Sequence, residues 1–402
     1  MAARSSSASS SSAKATRPSL DLATLLTDPA TRIVVCCGAG GVGKTTTAAA
    51  MGLWAAEHGR KVVVLTIDPA RRLAQSLGLT ELDNTPRPVE GAGADGGSLD
   101  AMMLDMKRTF DEVVEQHATP EKAAQILANP FYQAVSSSFA GTQEYMAMEK
   151  LGQLRAEADR TGRWDLVVVD TPPSRSALDF LDAPKRLGSF LDGRFIRLMT
   201  APAKAGGRAG FKVFSVGVTM VTSTMSKLLG GQLLQDVQTF VAALDTMFGG
   251  FRERADQTYA LLKNPETAFV VVAAPERDAL REASYFAGRL DEEQMPLAGL
   301  VVNRIQRVAA PSLRASRALA AADQLADTDG ADGVDRSPTS AETEGLLRLH
   351  AALAETAERQ ERQVSRFTAG HPGIPLVEVP AAAQDIHDLT GLRAVAASLT
   401  GA

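Results

Sequence analysis

The stretch CCGAGGVGKTTT, Cys36 to Thr47, constrains this chain more than any other. It follows a nearly all-apolar run, TRIVVCC (31–37), and leads into a helical pattern, KTTTAAAMGLWAAEHG, that Gly59 ends. A strand feeding a Gly-rich turn and then a helix is the phosphate-binding unit of α/β folds. Two fingerprints fit it. Gly38, Gly40 and Gly43 spell the G-x-G-x-x-G of a dinucleotide fold, and Gly38 to Thr45 spell the G-x-x-x-x-G-K-[ST] of a P-loop.

Further buried strands alternate with helical stretches along the chain: KVVVLTID (61–68), WDLVVVD (164–170), TAFVVVAAP (267–275), LAGLVVN (297–303) and PLVEVP (375–380). The alternation predicts an α/β fold with a mainly parallel central sheet flanked by helices. Residues 87–98 read as a Gly-rich loop, and 100–129 and 143–160 as helical. A closing helix is expected from about Asp385. Residues 1–18 read as a disordered tail, since a Ser-rich segment has no apolar surface to bury. The α/β domain is expected over 19–183 and 265–402, with a helical subdomain inserted at 184–264. There LLQDVQTFVAALDTMFGGF places apolar residues at 233, 237, 240, 244, 247 and 251, an amphipathic helix. That stripe packs the subdomain or, with nearby Met220 and Met225, forms a groove for apolar clients. The acidic stretch 323–345 is expected to be a disordered loop.

Composition narrows the function classes. A net charge of −5 over 402 residues argues against a nucleic-acid binder, which relies on excess positive charge. The two cysteines, adjacent at 36 and 37, allow neither a disulfide framework nor a multi-cysteine zinc site, and predict small buried side chains in a strand. No apolar run reaches the roughly 18 residues that span a bilayer, and residues 1–19 lack the apolar core of a secretory signal. A cytoplasmic location is expected.

The two fingerprints differ in what they ask of the rest of the chain. In a P-loop, backbone N–H groups of Gly40, Gly41, Val42 and Gly43 turn toward phosphate oxygens, where side chains would obstruct them. Lys44 then reaches the β- and γ-phosphates of ATP, and the Thr45 hydroxyl ligates Mg²⁺, with Thr46 behind it in the positive helix end. Such a site also needs an acid at the end of another buried strand to hold the metal's water shell, and Asp170 in VVVD supplies it. A dinucleotide fold asks only for an acid ending the second strand, where Asp68 sits, and Pro69-Ala70 after it reads instead as a switch-like turn. The P-loop reading accounts for more of the sequence.

GAGGVGKTT, IDPARRLAQSLG, VVVDTPPS, VVNR and a late EVP together resemble the ArsA-type ATPases, over about residues 31–400 apart from the acidic stretch. These are deviant Walker A P-loop proteins and include the arsenical-pump and tail-anchored-protein targeting ATPases. The resemblance implies that Asp68, with Lys44, is catalytic and orients the attacking water, and that Asp68 and Asp170 meet Mg²⁺ through water. It implies that Asn303 reads adenine, that Pro380 opens the adenine-side loop, and that Glu144 belongs to a family segment ending in glutamate. It also implies nucleotide held between two protomers, with hydrolysis moving the helical subdomain.

The sequence departs from that family in two places. The family's loop carries a signature lysine that reaches the partner's phosphates, and here the position is Ala39. An asymmetric heterodimer with a lysine-bearing paralogue is therefore the preferred reading. The alternatives are a homodimer, with a basic residue such as Arg71, Arg72 or Arg175 substituting, and a weakly hydrolysing regulatory subunit. A partition-type surface ATPase is a remote fourth. Switch II reads DTPPSRSALDF, with Arg175 and Ser176 where the family has glycine and histidine. The zinc CxxC and the arsenite-binding cysteines are absent, so neither zinc nor arsenite capture is expected.

Overall fold

The structure is a computed structural model, and it describes residues 17–68, 72–130, 132, 133, 136, 142–172, 253–331 and 338–402. Eight strands form one sheet: β1 (Ile33–Cys37), β2 (Lys61–Thr66), β3 (Arg87–Pro88), β4 (Ser98–Met103), β5 (Leu166–Asp170), β6 (Thr267–Ala273), β7 (Leu297–Ile305) and β8 (Leu376–Pro380). Their order is β3-β4-β2-β5-β1-β6-β7-β8, and every pair is parallel except β3–β4. Strands β1, β5 and β6 are buried along their whole length, which is why they read as continuous Val/Ile/Cys/Phe runs and not as alternating ones.

Helices cover both faces. They are α1 (Leu22–Thr27), α2 (Lys44–Glu57), α3 (Arg72–Ser76), α4 (Met106–His117), α5 (Pro120–Leu127), α6 (Thr142–Thr161), α7 (Arg277–Glu292), α8 (Ala315–Ala331), α9 (Pro338–Gly370) and α10 (Leu389–Thr400), with a further helical run at 253–263. One apolar layer joins α2, α1 and α10 to the sheet, and the other joins α4, α6, α7 and the C-terminal part of α9 to its opposite face. Helix α2 sits close because it is rich in alanine. At Gly52 a Cβ would come within 2.6 Å of Val64 Cγ2 on β2.

Three expectations need correction. The stretch expected to be helical over 100–129 begins with a strand, β4, because Leu99, Ala101 and Met102 find buried places beside β2. The end of the expected tail is pinned: Leu376 N donates to Pro18 O at 3.0 Å, and Arg17 pairs with Glu361 at 2.6 Å. Residues 17–20 thus cover the β8 edge, where unpaired backbone would otherwise face water. The acidic stretch 323–345 is helical at 323–331 and 338–345. There α8 and α9 form a hairpin whose contact is built from Ala315, Ala318, Ala351 and Ala354, tied by Arg348 to Asp323 at 2.9 Å. Alanines lose no side-chain entropy in a helix and let helices approach closely, and Leu313, Leu319 and Leu347 pack half-buried against them.

Helix α9 extends past the sheet. Gln306, just beyond β7, donates its N–H to Gln360 Oε1 at 2.7 Å. The part of α9 before Gln360, roughly 30 Å at 1.5 Å per residue, stands beyond the C-terminal strand ends and carries exposed Leu346 and Leu349. Glu144 lies on α6 with its side chain outside the described set, and the segment carrying Arg175, Ser176, Met220, Met225 and the 233–251 stripe lies wholly outside it.

Candidate functional site

The glycine loop links the C-terminal end of β1 to the first turn of α2. Gly38, Gly41 and Gly43 all have positive φ, at 148°, 77° and 96°. At Gly43 a Cβ would stand 2.2 Å from Asn303 Nδ2, and at Gly38 one would stand 2.0 Å from the Val272 carbonyl oxygen. Only glycine fits both the conformation and the space at those two places. Gly43 is the N-cap of α2, so the helix's positive end lies at the loop.

Sheet order brings the acids to this loop. Strand β5 lies directly beside β1, so Asp170, aligned with Cys36, ends under the loop. The Thr45 hydroxyl donates to Asp170 Oδ2 at 2.8 Å, and the Thr66 hydroxyl donates to the same oxygen at 2.8 Å. Asp170 is fully buried, and its Oδ1 has no hydrogen-bond partner. Burial raises its carboxyl from an ordinary 3.8 to about 6, against the two hydroxyl bonds and Lys44, which pull it down. Asp68 follows β2, one strand further out, and is buried, with its N–H on Thr66 Oγ1 at 3.3 Å. Lys44 is buried and donates to the Ala39 carbonyl at 2.7 Å. Burial lowers its ammonium's pKa, while Asp170 opposes that shift.

A cleft of about 1260 Å³ opens above these groups. Gly41, Gly43, Lys44, Thr45, Thr46, Asp68 and Arg72 line one side, and Asn303, Arg304, Pro380 and residues 382–387 the other. Gly40 is exposed on the loop, and Val42 is buried, its carbonyl accepting from Asn303 Nδ2 at 2.9 Å. Asn303 Oδ1 in turn accepts the Arg304 N–H at 2.9 Å. Ala39, the second residue of the loop, is buried in the apolar layer under α2. Both cysteines are buried and free, and burial pushes the Cys37 thiol up to about 12, as expected of small core side chains.

Some site residues were not singled out from the sequence. Thr66 is the one hydroxyl in an otherwise apolar buried strand, and that oddity was the available signal. Thr171 anchors the turn after β5 by donating its hydroxyl to the Cys36 carbonyl at 2.8 Å. Arg304 and the run 384–387 reach the cleft only through the pairing of β7 with β8.

The dinucleotide alternative fails on topology. In that fold the second strand adjoins the first, so its terminal acid faces the bound ribose. Here β5 intervenes, and its acid touches the helix threonine instead. Glycine loop, Lys-Thr pair and adjacent strand-end aspartate define a P-loop NTPase fold. A family model described as anion-transporting ATPase (ArsA ATPase) matches residues 31–314, and the chain belongs to that family. Similar curated proteins include "ATPase GET3C" and "ATPase GET3B" of Arabidopsis thaliana. The first is 24% identical over 67% of this chain and 65% of that protein, the second 26% over 67% and 62%. An "Arsenical pump-driving ATPase" of Acidiphilium multivorum is 28% identical over 39% of this chain and 26% of its own length. The matched region thus spans less than two thirds of each of these relatives. Among the described residues no helix is long and apolar enough to cross a membrane.

Proposed function

We propose that this chain is an Mg²⁺-dependent ATPase that takes ATP into the cleft between the glycine loop and residues 380–387. The observation that carries the reading is the Asp170 carboxylate. One of its oxygens orders the Thr45 and Thr66 hydroxyls, and the other is buried without a partner. A buried acceptor left unmatched is costly, and a hydrated divalent cation is the partner that a P-loop brings to this place. The Thr45 hydroxyl donates its hydrogen bond to Asp170, so its oxygen lone pairs remain for the metal. A bound Mg²⁺ would neutralise charge on the β- and γ-phosphates.

The remaining work falls to the chain's own groups. Lys44 exchanges the Ala39 carbonyl for phosphate oxygens. Asp68 accepts a hydrogen bond from the attacking water and aims it. Asn303 and Pro380 bound the base side. Ala39 cannot lend a cation to a partner's nucleotide, so the chain functions as one subunit of a heterodimer whose other subunit carries the lysine. Hydrolysis moves the 184–264 segment, which engages an apolar client or a membrane-protein partner. A weakly hydrolysing regulatory subunit is the second reading, supported by the same buried alanine.

Phosphate release by the purified chain, alone and with a lysine-bearing paralogue, tests this. Mg²⁺-dependent release that rises with the paralogue and is lost in Asp68→Asn is expected. Tight ATP binding with equal, negligible release in both cases would favour the regulatory reading.

A further inference from the structure

We infer that Arg304 is a nucleotide-binding residue whose guanidinium pairs with the phosphate chain, and that Asn303 is its positioning residue. The inference rests on the reading that the cleft takes ATP. Four features converge on Arg304. It has φ 63°, a left-handed conformation that costs a non-glycine residue energy. It sits in a bulge: Val302 pairs with Glu378 and Ile305 with Pro380, so three steps along β7 answer two along β8. Bulges next to active sites re-aim a side chain. It lines the cleft. Among the described residues it has no carboxylate partner.

The surroundings hold the strain in place. Asn303 Oδ1 accepts the Arg304 N–H, Asn303 Nδ2 donates to the Val42 carbonyl, and the Ala381 N–H donates to the Ile305 carbonyl at 2.9 Å. The kink is thereby bolted to the phosphate loop on one side and to the 380–387 run on the other. One bond at each end of its carboxamide fixes Asn303 against the loop and so fixes where the next residue stands. Its neighbour's Cα lies about 3.8 Å further on, close enough for a long, permanently charged side chain to reach phosphates seated at Gly43 and Lys44. A strained, unpaired cation beside an anion site is what a binding role would retain against its conformational cost.

Calorimetric binding of adenosine, ADP and ATP to the full chain and to Arg304→Gln, Arg304→Lys and Arg304→Gly, with thermal melts of each, tests this. Arg304→Gln is expected to weaken ADP and ATP about tenfold or more and to change adenosine binding less than twofold. Arg304→Lys keeps part of that affinity. Arg304→Gly relieves the left-handed strain, so its melting temperature rises while its ADP affinity falls. A merely structural residue would not move the two in opposite directions. Equal losses for adenosine and ADP, or unchanged ADP binding in all three variants, would overturn the inference while leaving the ATP reading intact. Wild-type protein that binds neither ADP nor ATP would remove both.

Discussion

Replacing Asp170 by asparagine separates what this carboxylate does for the fold from what it does for chemistry. The folded protein holds its proton up to about pH 6, while the unfolded chain releases it near 3.8. Between those values the folded form binds more protons than the unfolded one. The sign follows: stability from this group is fully present below pH 3.8 and is lost as pH rises through 6. A rise from 3.8 to about 6 amounts to a cost of about 3 kcal/mol at pH 7.5 and about 1 kcal/mol at pH 4.5. Asparagine keeps an acceptor for Thr45 and Thr66 and never ionises. Its NH₂ falls where Oδ1 has no partner, which subtracts about 1 kcal/mol at either pH. Urea melts of nucleotide-free wild type and Asp170→Asn should therefore show the variant about 2 kcal/mol more stable at pH 7.5 and about level at pH 4.5. The same variant should lose Mg²⁺-dependent hydrolysis. A gain of equal size at both pH values, or no gain at pH 7.5, would refute the reasoning, because the burial cost of the charge would then not be the dominant effect.

Other outcomes follow from single contacts. Gly43→Ala drives a Cβ to 2.2 Å from Asn303 Nδ2 at φ 96°, so nucleotide binding in calorimetry should fall at least tenfold, with a destabilisation of about 1–3 kcal/mol. Arg60 is buried and donates to the carbonyls of Leu26, Asp28, Thr31 and Asp165 as well as to Asp165 Oδ1. Arg60→Met leaves those acceptors unmatched and should cost about 3 kcal/mol or more in denaturant melts, and Arg60→Lys should recover only part of it. Ala39→Lys should leave turnover by the lone chain within twofold if the natural partner is a different subunit. A tenfold rise would point to two copies of this chain facing each other.

Much of the fold was legible because parallel sheets bury strands on both faces. IVVCC, VVVL, LVVVD and AFVVV announce themselves by being apolar without alternation. Strand β4 was not legible. Its SLDAMM carries Asp100, buried against the Trp164 ring nitrogen at 3.0 Å, and that charge hid the strand. The α8–α9 hairpin was hidden for the opposite reason, since its buried residues, Ala315, Ala318, Ala351 and Ala354, flank the acidic stretch, whose own composition reads as solvated chain. At the site, the loop glycines, Lys44, Thr45, Asp68 and Asp170 could be named because their chemistry demands particular residue types at strand ends. Thr66 and Arg304 could not, since their importance comes from neighbours distant in sequence.

The sequence by itself determined that this chain has a phosphate loop and two strand-end acids, because local backbone geometry needs glycine there and charge stabilisation needs carboxylates. Of the two fingerprints the loop matches, the Lys-Thr pair and the second strand-end acid already favoured the P-loop. Only tertiary structure showed how the site is assembled: β5 lies between β1 and β2, which sets Asp170 against Thr45 and moves Asp68 one strand away. Strand order is a property of packing and crossover, not of any local run of residues. The same pairing of β7 with β8 bends Arg304 into the cleft.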